Sequence, residues 1–358
     1  MTLARVERLR ELLAAQELEA LVVTQVHNRR YLSGFTASAP SDGALLITED
    51  EALILTDFRY YEQVAKEAPA FQLVQVSDTL KAALAGQVKA LGLCKVGFEG
   101  KDLPVATLHE WQAEMPDVEW VTTQDLIEEL RVIKDDAEIA AIQKAVCLAD
   151  EAMAHIMSWL RPGVTEKEVA WELEVYMRTH GASKLSFDMI VAAGPNGSMP
   201  HAVTSERRIE RGDPIVIDMG CIIDGYCSDL TRSFCLGEAS SKYLEAWQIV
   251  REAQQTAEEA IVAGMAAAEA DGVARRLIDG TAFAGRFGHG LGHGVGLEIH
   301  EKPRVGRLSK DVLQPGNVLT VEPGIYLPGE FGIRIEDIVV VTEQGALILT
   351  SVGKEAVI

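Results

Sequence analysis

The chain has 358 residues, 48% hydrophobic and 24% charged, the composition of a folded globular protein and not of a disordered or fibrous one. Its formal net charge of −21 would be repelled by phosphate backbones and anionic lipid, which argues against nucleic-acid and membrane-surface partners. With no apolar leader in residues 1–10 and no apolar run near the roughly eighteen residues that span a bilayer, a cytoplasmic protein is expected.

At this length two domains are expected. Up to about Arg131, short apolar runs alternate with helical periodicity, which predicts a small α/β domain. Residues 3–18 are helical in period. Strands are expected at 20–23, 44–47, 52–55, 72–76 and 95–98, and helices near 60–68 and 80–91. Asn28-Arg29-Arg30-Tyr31-Leu32 and Asp57-Phe58-Arg59-Tyr60-Tyr61 are polar-aromatic clusters at strand ends, read as helix caps and domain packing. A strong helix over 135–160 stops at Arg161-Pro162-Gly163, and Thr165-Glu166-Lys167-Glu168 is a capping box opening a second helix toward Gly181. The boundary therefore falls near 132–134, giving domains of residues 1–132 and 133–358. Cys94, Cys147, Cys221, Cys227 and Cys235 are odd in number and contain no C-x-x-C pair, so buried free thiols are expected in place of disulfides or a zinc site.

Residues 212–234 read as a β-hairpin, because Asp224-Gly225 is a strong two-residue turn signal flanked by apolar runs. That turn sets Ile223 opposite Tyr226, Gly220 opposite Asp229 and Asp218 opposite Thr231. Asp218 and Asp229 then share a face as diagonal neighbours, with Gly220 leaving space between them. Two buried acids on one face repel each other, and a metal is the natural compensation. From this stretch alone, two solvent-facing acids on an edge hairpin remain the alternative.

A second helix pair, at 243–261 and 271–277, precedes another hairpin-like region, and the two halves align: Gly212-Asp213-Pro214-Ile215-Val216-Ile217-Asp218-Met219-Gly220 with Gly316-Asn317-Val318-Leu319-Thr320-Val321-Glu322-Pro323-Gly324. Each half adds a second acid in its returning strand, Asp229 and Glu336. Duplicated halves facing a shared cleft would gather four carboxylates, which a solvated face does not explain. Between them, residues 285–300 carry His289, His293 and His300 among glycines that permit close approach; no dinucleotide fingerprint or phosphate loop fits this run.

At these residues the chain resembles the creatinase/aminopeptidase superfamily and, within it, the Xaa-Pro peptidases (aminopeptidase P and prolidase). The resemblance spans nearly the whole chain. It implies an α/β N-terminal creatinase-like domain and an α+β pita-bread catalytic domain with a pseudo-two-fold repeat. It also implies a metal-ligand set of Asp218 in Ile-Asp-Met-Gly, Asp229 in Ser-Asp-Leu-Thr-Arg, His293 in Gly-His-Gly-Val-Gly-Leu, Glu322 in Val-Glu-Pro-Gly and Glu336 in Arg-Ile-Glu-Asp. His201, His289, His300 and Arg334 are implied to contact substrate or support the ligands. Where the family often has a second Asp after the Glu-Asp pair, this chain has Ile338.

Four carboxylates balance two divalent cations, and oxygen-rich ligands with one imidazole suit Mn²⁺, with Co²⁺ or Zn²⁺ as substitutes. Glu322 is assigned the proton shuttle, and His201, His289 and His300 hydrogen-bond donation to the reacting carbonyl. The expected substrates are peptides with proline in second position, and a homodimer is expected by family analogy. A dipeptidase needs a cation closing the cleft on the free carboxylate. With no long insertion to act as a lid, and only Arg29, Arg30 or Arg59 in view for that task, aminopeptidase is the leading expectation and dipeptidase the alternative. Creatinase, which works without metal, and non-catalytic peptide-binding relatives are disfavoured by the complete ligand set, and methionine aminopeptidases by the N-terminal domain.

Overall fold

The computed structural model describes residues 2–358. They form two compact units, residues 2–131 and 132–358. In the first, strands β1 (Ala20–Val23), β2 (Ala44–Thr48), β3 (Ala52–Thr56), β4 (Gln72–Gln75), β5 (Lys95–Glu99) and β6 (Glu119–Thr123) make one sheet in the order β4-β3-β2-β1-β5-β6. Helices α1 (Thr2–Ala15), α2 (Val26–Ser33), α3 (Tyr61–Glu67), α4 (Leu80–Ala90), α5 (Val105–Glu114) and α6 (Leu126–Arg131) accompany it.

All the expected strands are present. The sequence reading did not anticipate β6 or α5, whose signals are weak: Trp120 and Val121 are only partly covered, and α5 begins behind Pro104 with an exposed Val105. Residues 28–32 lie inside α2, which is capped by the Gln25 side chain accepting from the Asn28 N–H and ends at Gly34 with φ of 86°. Arg29 is fully buried, its guanidinium donating to the carbonyls of Gly43, Ala37 and Ala39. Arg59 is paired with Asp57 at 2.7 Å. Both are committed to partners in their own unit, so neither is a free cation.

The second unit is built twice over. Helices α7 (Asp136–Trp159) and α8 (Glu166–Thr179) precede β7 (Lys184–Leu185), β8 (Ile190–Ala193), β9 (Pro214–Met219), β10 (Cys221–Ile223), β11 (Tyr226–Cys227) and β12 (Leu230–Cys235). Helices α9 (Ser241–Ala260) and α10 (Ala267–Asp279) precede β13 (Gly292–Gly294), β14 (Glu301–Val305), β15 (Val318–Val321), β16 (Gly324–Leu327), β17 (Phe331–Arg334), β18 (Asp337–Thr342) and β19 (Gly345–Ile348). Thr165 and Glu168 exchange the expected capping-box bonds at the start of α8.

Each half packs its helices on one face of its strands. Ile215, Ile217 and Met219 of β9 join Ala149, Met153, Val169 and Leu173 in one core, whereas Leu319 and Val321 of β15 join Tyr243, Val250, Ala270 and Ala274 in the other. The strand period of two then turns Asp218 and Thr320 to the opposite face, and the same parity carries on to Glu322. Cys221, Cys227 and Cys235 are buried, but Cys94 and Cys147 are exposed, against expectation. Among the described residues no helix is long and apolar enough to cross a membrane.

Candidate metal centre

The first hairpin keeps the register the turn dictates. Asp224 and Gly225 take φ of 51° and 85°, Ile223 pairs with Tyr226, and Asp218 pairs with Thr231. Counting along the strands places Asp229 opposite Gly220. One expectation needs correcting: Gly220 does not serve to leave space between the acids. A Cβ there would stand 2.0 Å from the Ser228 carbonyl oxygen, so the glycine is required by the approach of the opposing backbone.

The second hairpin runs β15 to β18 and β16 to β17, with Val321 opposite Asp337 and Gly324 opposite Arg334. Glu322 and Glu336 therefore face each other directly, whereas Asp218 and Asp229 are diagonal. The difference follows from the returning strands: Asp229 stands three residues past Tyr226, whereas Glu336 stands five past Phe331 and so matches the five residues from Glu322 to Leu327.

These strands bring Asp229, His293 and Glu336 together, with one ligand atom from each lying within 4.8 Å of the others. Glu322 joins them: His293 Nε2 is 3.5 Å from Asp229 Oδ2 and 3.4 Å from Glu322 Oε1. Asp218 stands slightly apart. One of its oxygens accepts from the Arg334 guanidinium, and Oδ1 is buried without a hydrogen-bond partner.

The His293 tautomer decides what this cluster can hold. Nδ1 lies 3.1 Å from the Gly294 carbonyl oxygen, an acceptor, so the proton sits on Nδ1 and Nε2 presents a lone pair to two carboxylates. Burial, then the neighbouring His300, push the imidazole down to about 4, so it stays neutral. Acceptors converging on acceptors cannot bond one another, and with the orphaned Asp218 oxygen they fit a divalent cation.

The carboxyls show the same frustration. Burial and then the charge of Glu336 raise Asp229 well above its ordinary range, and burial and then Glu322 do the same to Glu336. Burial raises Glu322 from 4.5 to about 7. A buried acid with a raised pKa stabilises the fold when protonated, and that contribution is lost as pH climbs from the ordinary 4.5 through about 7. Metal-free protein should therefore lose thermal stability between pH 5 and 8. Bound cations remove the repulsion, so the gain in Tm on adding metal should widen over the same window. Melting curves of chelated and metal-loaded protein at both pH values check this, and a metal-induced gain that does not change with pH would count against it.

The cluster opens on a cavity of about 980 Å³ lined by His201, His289, His300, Arg304, Glu322 and Arg334 among others. That is the upper end of the usual small-ligand range. All the histidines expected near substrate therefore reach one space. His300 meets the His293 ring edge-on at 4.3 Å between centroids.

His289 Nδ1 is 2.8 Å from the Gly290 carbonyl oxygen, which fixes the proton on Nδ1; Nε2 then accepts from the Tyr326 hydroxyl at 3.0 Å, so, against the expectation that it donates to the reacting carbonyl, this neutral ring has no N–H left to give. Arg334 Nη1 in turn donates to Tyr326 at 2.9 Å. Arg334 touches three of the clustered carboxylates: it holds Asp218, its Nε lies 4.0 Å from Glu322, and it reaches Glu336 through Thr231, which accepts from Arg334 Nε at 3.1 Å and donates to Glu336 at 2.5 Å.

Four participants escaped the sequence reading. Tyr326 shares strand parity with Glu322, a signal that was present. Asp271 and Arg275 on α10 form a buried pair whose guanidinium donates to the Phe287 and His289 carbonyls, fixing the glycine-rich segment; an i,i+4 pair ordinarily marks a solvated face. Arg304 pairs directly with His293 between β14 and β13, which puts both side chains on one sheet face.

Comparison with known proteins agrees with this construction. Residues 140–343 match the model of metallopeptidase family M24, and residues 5–133 match the creatinase/prolidase N-terminal domain. An Xaa-Pro dipeptidase from Bacillus anthracis is 42% identical with a TM-score of 0.97, covering 100% of both chains. An X-Pro aminopeptidase from Thermotoga maritima is 36% identical with a TM-score of 0.92, covering 99% of this chain and 100% of that one. An Xaa-Pro dipeptidase from Pyrococcus horikoshii is 36% identical over 99% of this chain and 98% of its own length. With a duplicated pita-bread catalytic unit behind a creatinase-type N-terminal domain, the chain belongs to metallopeptidase family M24.

Proposed function

We propose that the protein is a metal-dependent Xaa-Pro dipeptidase, hydrolysing the bond between a first residue and a C-terminal proline, with Mn²⁺ as its working metal. The observation that carries the dipeptidase reading is Arg304. It lines the cavity on the same sheet face as His293, and among the described residues no carboxylate pairs with its guanidinium. A free cation there suits the carboxylate of a C-terminal proline. The aminopeptidase expectation rested on finding no insertion to act as a lid, with only Arg29, Arg30 or Arg59 in view as a closing cation; Arg304, on a strand of the catalytic unit, needs no lid. The relatives from Bacillus anthracis and Pyrococcus horikoshii, both named Xaa-Pro dipeptidases, support this reading over the aminopeptidase one, which the Thermotoga maritima structure favours.

Asp218, Asp229, His293, Glu322 and Glu336 would hold the ions, which when bound supply Lewis acidity and lower the pKa of water. The remaining steps fall to the chain. Arg304 anchors the proline carboxylate and so sets the register of the scissile bond. Glu322 carries the proton, its side chain being 16% exposed at the cavity against 12% for Asp218 and 6% for Asp229. His300 and His201 donate to the carbonyl oxygen as its charge builds, and Arg334 keeps Asp218 oriented. Because a proline imide has no N–H, a pocket shaped for its ring must replace the extended backbone pairing most proteases use.

Dialysis against a chelator should abolish Ala-Pro hydrolysis, and Mn²⁺ should restore it, with Ala-Ala remaining a poor substrate. Ala-Pro turnover that survives complete metal removal contradicts the proposal. His300→Ala should lower kcat by roughly 10²–10³, the scale of one lost donor to a developing oxyanion, with metal content unchanged. Loss of metal in that variant would make His300 a ligand and not a donor.

A further inference from the structure

We infer that Glu166 is a positioning residue for catalysis, the clasp that closes the base of the loop carrying His201. It is the first residue of α8, and its side chain is fully buried. A buried carboxylate is costly unless its lone pairs are satisfied, and every bond that satisfies this one comes from the segment 193–205. Oε1 accepts from the Ala193 N–H at 2.8 Å and from Asn196 Nδ2 at 3.0 Å. Oε2 accepts from the Ser205 N–H at 2.9 Å and the Ser205 hydroxyl at 2.6 Å.

Ala193 ends β8 and Ser205 closes the loop, so one side chain joins the two ends of a thirteen-residue excursion with His201 near its tip. The tip has its own tether: Arg334 Nη1 donates to the Pro200 carbonyl at 3.3 Å, next to His201. Base and tip are thus held from different sides. Arg334 already orients Asp218, so the histidine is set relative to the ligand cluster from the tip by Arg334 and from the base by Glu166, beside which the Thr204 hydroxyl accepts from the Val191 N–H and donates to the Met189 carbonyl. Glutamine cannot replace it, because an amide keeps one acceptor oxygen and would turn two N–H donors toward the Ala193 or Ser205 donors.

The kinetic arm of the test rests on the hydrolase reading; the exchange arm does not. In the metal-loaded full chain, Glu166→Gln should speed amide hydrogen exchange across 194–205 roughly tenfold or more, with segment 286–293 unchanged. The milder Ser205→Ala should move it the same way by less. Glu166→Gln should lower kcat on Ala-Pro by about 10- to 100-fold, the scale of a misplaced catalytic group, with KM and metal content little changed.

If Glu166 acts through His201, its effect on kcat should largely vanish in a His201→Ala background. Full multiplication of the two losses overturns the inference, and so does unchanged exchange over 194–205 in both variants. If the wild type fails to cleave any Xaa-Pro dipeptide, the proposed substrate is wrong, and the exchange result still decides the clasp.

Discussion

Asp229→Ala is expected to abolish peptide hydrolysis and to reduce bound metal per chain, while the fold survives. Asp229 is the acid that converges most completely with His293 and Glu336, with ligand atoms within 4.8 Å of one another. Removing a residue that merely supports a metal ligand costs about 10–100-fold in affinity or activity, and loss of a ligand should exceed that range. The metal-free variant carries a signature of its own. Burial and the neighbouring acids hold the Asp229 carboxyl well above its ordinary pKa, so deleting it relieves repulsion that grows with pH. Metal-free Asp229→Ala should therefore melt at a higher temperature than metal-free wild type at pH 8, although it melts lower once metal is added to both. Metal analysis, Ala-Pro turnover and melting curves test each part, and full metal loading with normal turnover would remove Asp229 from the ligand set.

Arg304→Met should damage the enzyme selectively. If the guanidinium receives the proline carboxylate, removing it leaves that charge unpaired in the cavity, at a cost of about 2–3 kcal/mol, the low end of the range for such pairs because Arg304 is exposed. That corresponds to a roughly 30- to 200-fold fall in kcat/KM for Ala-Pro. Ala-Pro-amide lacks the carboxylate, so wild type and variant should cleave it at similar rates. An equal loss on both substrates would mean that Arg304 supports the fold or His293 and does not read the chain end.

Much of this site was legible in the chain because strand parity is a rigid constraint. Asp224-Gly225 fixes the turn, the turn fixes the register, and the register sets Asp218 and Asp229 on one face without further information. The internal repeat carried the same reading to Glu322. What the repeat could not give was the position of the second acid in the returning strand. Glu336 stands two residues further past its turn than Asp229 does, which makes Glu322 and Glu336 direct partners, and nothing in the aligned segment encodes that difference.

Arg304 was out of reach for a related reason. Its meaning depends on pairing with a three-residue strand of glycine, histidine and glycine, a composition that carries no strand signal. The buried Asp271–Arg275 pair was hidden because the spacing that exposes such pairs on most helices here points into the protein.

The chain-length preference tests the central claim most directly. With Mn²⁺-loaded protein, hydrolysis of Ala-Pro should exceed that of Ala-Pro-Ala by one to two orders of magnitude in kcat/KM, because the tripeptide offers Arg304 no carboxylate on its proline. Faster cleavage of the tripeptide, with little turnover of the dipeptide, would contradict the dipeptidase reading and make the enzyme an Xaa-Pro aminopeptidase.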